Sequence, residues 1–249
     1  MKVLKITLVA TIILVTCLSF AECTSADESK ISADGVWQYV EVEGGVSLTA
    51  VKKMEADMTV PATVDGKTVV SLGEKLFVEV DDGSAKKSNA GVYRENTTLK
   101  TLTILADIKE IPNMCFYYCT ALEEVVFPDS LESVAPFAFF NCSALKSVTL
   151  PEKTNSIGEY SFRQCLSLET VTINYAGDAC VTIGDKAFYN LDEKVSKDEQ
   201  YFINPKLTIY VKNIELYDAD ALEAKRIETK EMSYKYWEEY VKADIVKQK

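Results

Sequence analysis

LEEVVFPDSLESVAPFAFFNCSAL, residues Leu122 to Leu145, is the stretch on which the fold of this chain turns. The same pattern precedes it from Leu99 and follows it from Leu145, in rows of 23 residues. Leu99, Leu122, Leu145 and Leu168 keep that step, as do Leu102, Val125, Val148 and Val171, and Ile104, Phe127, Leu150 and Ile173. Ile111, Val134 and Ile157 form a further column, Phe116, Phe139 and Phe162 another, and Cys119, Cys142 and Cys165 the last. A period of this length, held in several columns at once, is the signature of stacked supersecondary units, a solenoid.

Within one row the physics is simple. Val125-Val126-Phe127 alternates in, out, in, as a short strand does. Pro128 follows it, and proline lacks the ladder donor, so the strand ends there. Leu131 and Val134 are spaced to point inward from the far side of the coil. Phe139, Cys142 and Leu145 are three apart, which suits one face of a short helical or 3₁₀ turn. Each coil is thus a strand plus a return limb. One coil alone leaves its apolar set uncovered, whereas stacked neighbours cover each other, so stability is a sum of nearest-neighbour interfaces. Each buried Leu, Val or Phe contributes roughly 1.5–3 kcal/mol.

The rows LEEVVFPDSLESVAPFAFFNC and LKSVTLPEKTNSIGEYSFRQC resemble the BspA-like class of leucine-rich repeats, and the resemblance extends from Val60 to Val211. It implies an α/β repeat solenoid, a right-handed coil with one parallel sheet. It also implies a secreted or surface-displayed protein with a role in adhesion or protein binding.

Both ends of the chain depart from the period. Lys2 and Lys5 precede an apolar run from Ile6 to Phe20, shorter than the ~20 residues of a membrane span; residues 1–21 read as a signal peptide, with a second cleavage option after residue 26. Cys17 and Cys23 follow Thr16 and Glu22, so the small residue of a lipoprotein cleavage site is missing. Residues 27–59 read as an N-terminal β cap. Val36 to Val42 and Val46 to Val51 flank the turn Gly44-Gly45, a hairpin signal, and Trp37 and Tyr39 suit the cover that an open solenoid end requires. Residues 60–211 form the solenoid, with a loop insert over 78–98. Residues 212–249 read as a helical cap, because Tyr234, Trp237 and Tyr240 are three apart with Val241 and Ile245 beyond.

The chain has 249 residues, 27 basic and 38 acidic, a net charge of −11 and a pI near 4.7. That balance argues against nucleic acid and anionic membrane surfaces as partners. There is no histidine, which removes Ser-His-Asp and Cys-His catalysis and imidazole metal ligation. The Cys119, Cys142, Cys165 column reads as small buried thiols or as disulfides between adjacent coils; Cys115 and Cys180 lie outside it. No CxxC pair is present, so no metal or cofactor is expected. The acid pairs Asp81-Asp82, Glu123-Glu124 and Glu238-Glu239 are what an acidic surface contains, and no catalytic set is expected from them. Asp81-Asp82-Gly83-Ser84 lacks the rest of a calcium loop. Asn96-Thr97-Thr98 and Asn141-Cys142-Ser143 match the N-glycosylation triplet.

The candidate binding surface is the strand face that points away from the core. Its middle positions are Thr103, Val126, Thr149, Thr172 and Thr208, and the positions two before them are Thr101, Glu124, Ser147 and Thr170. Stacked at ~4.8 Å, they form a Thr/Ser-rich stripe; threonine also simply suits an exposed strand. Tyr117, Tyr118, Phe140 and Tyr189 form a second candidate patch. The expectation is a secreted or cell-surface binding module for an extracellular protein or glycan, with no membrane span in the mature chain. The alternative is a structural envelope-associated protein without a specific ligand.

Overall fold

The computed structural model describes residues 28–80, 93–178, 180–191, 201–202, 207–212 and 244–247. The chain opens with β1 (Lys30–Ile31), β2 (Trp37–Val42) and β3 (Gly45–Val51), continues with β4 (Asp57–Val60), and returns with β5 (Thr63–Val64) and β6 (Lys67–Leu72). Five of these form a sheet of order β1-β2-β3-β6-β5, while β4 leaves it to become the first strand of the solenoid. The predicted hairpin is β2–β3, and Gly44 at its turn has a φ of +83°, where glycine alone is at ease. Glu41 on β2 is paired with both Lys30 and Lys67, tying three strands of the cap together. The hydrogen bonds from the two ammonium groups hold its carboxyl down at about 2. Trp37 and Tyr39 are 3% and 4% exposed. Trp37 meets Phe77 edge-on, with centroids 6.2 Å apart at 86°, and the Tyr39 hydroxyl donates to Asp65 at 2.9 Å.

A short antiparallel pair, β7 (Glu79–Val80) and β8 (Tyr93–Arg94), forms the stem of the predicted insert; residues 81–92 lie outside the described residues. The coils then supply strands in alternation. On the sheet side stand β9 (Thr101–Ile104), β11 (Glu124–Val126), β13 (Ser147–Leu150), β15 (Thr170–Ile173) and β19 (Thr208–Val211). On the return side stand β10 (Glu110–Ile111), β12 (Ser133–Val134), β14 (Ser156–Ile157) and β16 (Thr182–Ile183). The antiparallel pair β17 (Asn190–Leu191) and β18 (Tyr201–Phe202) follows the last return strand. The period becomes register directly: Val125 pairs with Leu102 and Val148 with Val171, all in parallel. Every inward column is buried, with Leu99, Leu122, Leu145, Ile111 and Phe116 at 0% exposure.

Two parts of the expected architecture need correction. The single parallel sheet is two ladders, β4-β9-β11 and a second that begins β13-β15-β19, and the return strands form a third of their own. The break between β11 and β13 coincides with a missing donor in the residue after the strand, a loss that at β9–β11 only shortens the ladder. Leu105 donates its N–H to Val60 at 2.9 Å and Asn174 donates to Leu150 at 3.1 Å. At the same column Pro128 and Pro151 have no N–H to give, so β11 lacks the terminal bond on both sides.

The second correction concerns the return limb, which contains no helical or 3₁₀ segment among the described residues. It is built of turns, with Cys115, Tyr117, Cys119 and Leu122 each donating three residues back. Helix propagation is stopped by left-handed residues in two columns: Lys75, Met114, Phe137, Tyr160 and Lys186 (φ +50° to +60°), and Tyr118, Asn141 and Gln164 (φ +59° to +63°). That conformation aims N–H groups along the stack instead of along the chain. Met114, Phe116 and Tyr118 donate to Pro136, Ala138 and Phe140 of the next coil, and Phe137, Phe139 and Asn141 donate to Glu159, Ser161 and Arg163. Coils approach closely here: a Cβ on Gly158 would lie 2.4 Å from the Pro136 nitrogen.

Inside the turns runs a phenylalanine stack. Phe77, Phe116, Phe139, Phe162 and Phe188 have successive centroid separations of 4.9, 4.7, 5.0 and 5.5 Å, with rings within 15° of parallel. The cysteine column lies beside it, and its thiols are free and buried. Each donates to a phenylalanine carbonyl of the neighbouring coil: Cys119 to Phe77 at 3.6 Å, Cys142 to Phe116 at 3.2 Å and Cys165 to Phe139 at 3.2 Å. Burial pushes the Cys115, Cys119 and Cys142 thiols above their ordinary 9.0. The neutral thiol is therefore favoured by folding. Its contribution to stability is complete below pH 9 and is lost as the pH rises through the folded value. Two outcomes follow: these thiols should not react with iodoacetamide at pH 8 until the chain unfolds, and the urea midpoint should fall above about pH 9. Rapid labelling of Cys142 in the native protein would contradict the packing.

At the far end β19 pairs in parallel with β20 (Asp244–Lys247). The helical cap expected over 212–249 has no helix among its described residues. Ile245, placed on the helical stripe by its spacing, belongs to this strand, because pairing with the open edge of β19 satisfies backbone groups that a helix would leave exposed. Tyr234, Trp237, Tyr240 and Val241 lie outside the described residues, as do the signal peptide and Asp81-Asp82-Gly83-Ser84.

Candidate interaction surface

Alternation along each sheet strand sends one set of side chains inward and the other to solvent. The outward set forms two columns. Asp57, Thr101 and Glu124 face one another across β4, β9 and β11, and Ser147, Thr170 and Thr208 across β13, β15 and β19. The second column runs Thr59, Thr103, Val126 and then Thr149, Thr172, Tyr210. Glu124, Val126, Ser147 and Thr149 are exposed; Thr101, Thr103, Thr170, Thr172 and Thr208 are half-buried. The register moves one expected position: Thr208 stands opposite Thr170, not Thr172, whose partner is Tyr210. The step of 23 is lost before the last strand, so its centre could not be counted from the preceding row. Asp57, Thr59 and Tyr210 were missed for the same reason at either end. The Thr101 hydroxyl donates to the Asp57 carboxylate at 2.6 Å.

The two ladders leave a cleft where they part. It has a volume of about 260 Å³ and is lined by Glu124, Val126, Phe127, Asp129, Thr149 and Asn174 among others. Its floor is less sealed than the next coil: Val125 and Phe127 are 7% and 9% exposed, against 2% and 0% for Val148 and Leu150. Val126, at 46%, is the only large aliphatic side chain exposed on the stripe among the described residues. At the flanks, lysines bridge coils: Lys146 reaches the adjacent coil, and Lys212 spans from β19 past β15 to the coil of β13. Lys146 meets Glu123 at 2.6 Å and Lys212 meets Glu152 at 2.7 Å, and in each pair the ammonium lowers the carboxyl pKa.

The second candidate patch is a packed surface layer. Tyr117 and Phe140 stack at 5.0 Å, Phe137 and Tyr160 lie 5.1 Å apart, and the Arg163 guanidinium sits 5.0 Å over Tyr160. Tyr117, Tyr118, Phe140 and Tyr189 are all half-buried. The glycosylation triplet at Asn96 is closed by the fold. Asn96 is fully buried, its amide donates to Phe77 at 3.0 Å, and its Oδ1 accepts from Thr98 and Leu99. Among the described residues no three His, Cys, Asp or Glu side chains cluster as metal ligands, and no helix is long and apolar enough to cross a membrane.

Stacked strand-and-turn coils with a filled interior and a regular outward sheet face define a leucine-rich-repeat solenoid. Residues 87–197 match the family model "BspA type Leucine rich repeat region" in six copies, so that segment is similar to the BspA-type leucine-rich repeats. Among solved structures, a leucine-rich repeat protein of T. pallidum superposes with a TM-score of 0.53 at 21% identity, covering 74% of this chain and 71% of that one, a likeness of fold. A leucine-rich cell surface protein of Faecalibacterium prausnitzii A2-165 gives 0.47 at 24% identity, covering 77% and 54%. The pneumococcal vaccine antigen PcpA gives 0.48 at 17%, covering 88% and 49%, so this chain spans about half the length of each of those two. Comparison with curated proteins returns no match.

Proposed function

We propose that the protein is a secreted or surface-displayed binding module that engages an extracellular partner protein through its parallel-sheet face. The observation that carries this reading is the pair of outward columns: short polar side chains held in register on strands whose inward positions are all filled. Extended solenoid faces of this kind serve as binding surfaces, and a rigid strand scaffold keeps the ordering cost of association low. The family match to repeats of the BspA type supports a binding role over a catalytic one. The acidic net charge of −11 favours partners of the opposite sign.

A panel of extracellular proteins and glycans, presented to the full chain, tests the reading when paired with the double variant Thr103→Lys with Thr172→Lys. These positions lie on separate ladders and point outward, so the melting temperature should not change. Affinity for a genuine partner should drop about tenfold or more, equivalent to ~1.4 kcal/mol. Undiminished affinity would exclude the sheet face. Saturable binding by glycans alone would replace the protein partner, and no saturable partner across the panel would leave a purely structural protein.

A further inference from the structure

The cleft at the parted ladders has a chemistry of its own. The seam opens as a wedge. At its closed end Lys146 donates to Glu123 at 3.4 Å, where the equivalent bonds, Glu123 to Lys100 and Glu169 to Lys146, are 2.8 and 2.9 Å. At its open end Pro151 has no N–H to offer Phe127. One wall is apolar, made by Val126, Phe127 and Pro151; the polar groups are the Glu124 and Asp129 carboxylates, which only accept, with the Ser147 and Thr149 hydroxyls and the Asn174 amide, which can accept or donate. Glu123 and Glu152 beside the cleft have lysine partners, whereas Glu124 and Asp129 have no ion-pair partner among the described residues. The volume of about 260 Å³ falls below the ~300–1,000 Å³ of drug-sized ligand sites and fits one long side chain.

We propose that this cleft receives the side chain of a lysine or arginine from a partner protein, its methylene stem along Val126, Phe127 and Pro151 and its cationic head between Glu124 and Asp129. An apolar wall ending in acceptors is the complement of a side chain with an apolar stem and a charged tip. Because the cleft is half open, the carboxylates keep much of their hydration and the ion pair is formed without the desolvation cost of a sealed interior. The surrounding negative field of an acidic chain would draw in a basic segment. The proposal rests on the sheet-face reading above and assigns it a partner class.

The test is an NMR titration of the full chain with Nα-acetyl-lysine amide and Nα-acetyl-arginine amide. Nα-acetyl-norleucine amide, which keeps the stem and lacks the charge, and glucosamine serve as comparisons. The expected result is saturable shifts confined to the amides of Val126, Phe127, Ser147, Thr149 and Asn174, with a Kd on the order of 1 mM. Norleucine amide should bind about tenfold more weakly, and the variant Glu124→Gln with Asp129→Asn should lose the lysine response by a similar factor. Equal binding of norleucine amide, an unchanged response in the variant, or no saturable shift would overturn the proposal. Glucosamine moving the same amides at equal or lower concentration would assign the cleft to an amino sugar instead. The two readings fail separately: a partner lost by the Thr103→Lys, Thr172→Lys variant but retained by the carboxylate variant would keep the sheet face and discard the cleft.

Discussion

Replacing Phe139 with alanine should lower the unfolding free energy by about 3–5 kcal/mol. Its ring is fully buried, stacked 4.7 Å from Phe116 and 5.0 Å from Phe162, with Phe127 edge-on at 5.9 Å. Truncation opens a ring-sized void that three neighbours border. The surrounding turns have little freedom to close it, because their N–H groups are committed to the next coil through Phe139 to Ser161 at 2.7 Å and Phe116 to Ala138 at 2.8 Å. Against a typical total of about 5–15 kcal/mol for a domain, the loss is a large fraction. Urea denaturation should show a lower midpoint with an unchanged slope. Phe139→Leu should cost markedly less, since it keeps most of the volume. The double variant with Phe116→Ala should cost less than the sum of the two, since both truncations enlarge one cavity. A loss below about 1 kcal/mol for Phe139→Ala would mean that the stack is not a principal source of stability.

The phenylalanine stack was legible in the sequence because a buried column leaves a mark at every turn. The same holds for the Leu, Val and Ile columns, and they placed the outward face correctly from Thr101 to Thr172 without any sight of the fold. Where the step of 23 fails, the reading failed with it, as at Thr208 and Tyr210. The divided sheet had a signal that was read only as strand ends: Pro128 and Pro151 occupy the column where Leu105 and Asn174 supply a ladder donor. Two prolines in successive rows weaken the bonding on both sides of one strand, and that places the cleft. The return limb was read as a short helical or 3₁₀ turn, and a spacing of three fits those and the repeated three-residue turns that form. Nothing in Met114, Phe137 or Tyr160 announces a left-handed backbone, which bulky residues ordinarily avoid. There the bonding between coils outweighs local preference, at a cost of order 1 kcal/mol per residue. The cleft combines Glu124 and Val126 from the stripe with Phe127, Asp129 and Asn174, whose convergence depends on the divergence of two strands and not on any motif.

Trp37→Ala should carry the second large effect, and its distribution along the chain matters more than its size. Trp37 is 3% exposed and stands at the end of the phenylalanine stack, edge-on to Phe77. The truncation costs about 3–5 kcal/mol at a well-packed site. Phe139 has a coil on either side, whereas Trp37 belongs to the cover of a terminal one. In a solenoid whose stability is a sum of neighbour interfaces, loss at the end is felt by the end. Hydrogen exchange should therefore accelerate over β2, β3, β6 and Phe77, while β13 and β15 keep their protection. In Phe139→Ala, protection should fall on both sides of the central coils. The cap's own cross-links, Glu41 to Lys30 and Lys67 and Tyr39 to Asp65, are exposed or half-buried and cannot replace the buried indole. If Trp37→Ala instead lowers protection uniformly from β2 to β19, the solenoid is a single cooperative unit. The cap would then be part of its folding nucleus and not a cover added to a self-sufficient stack.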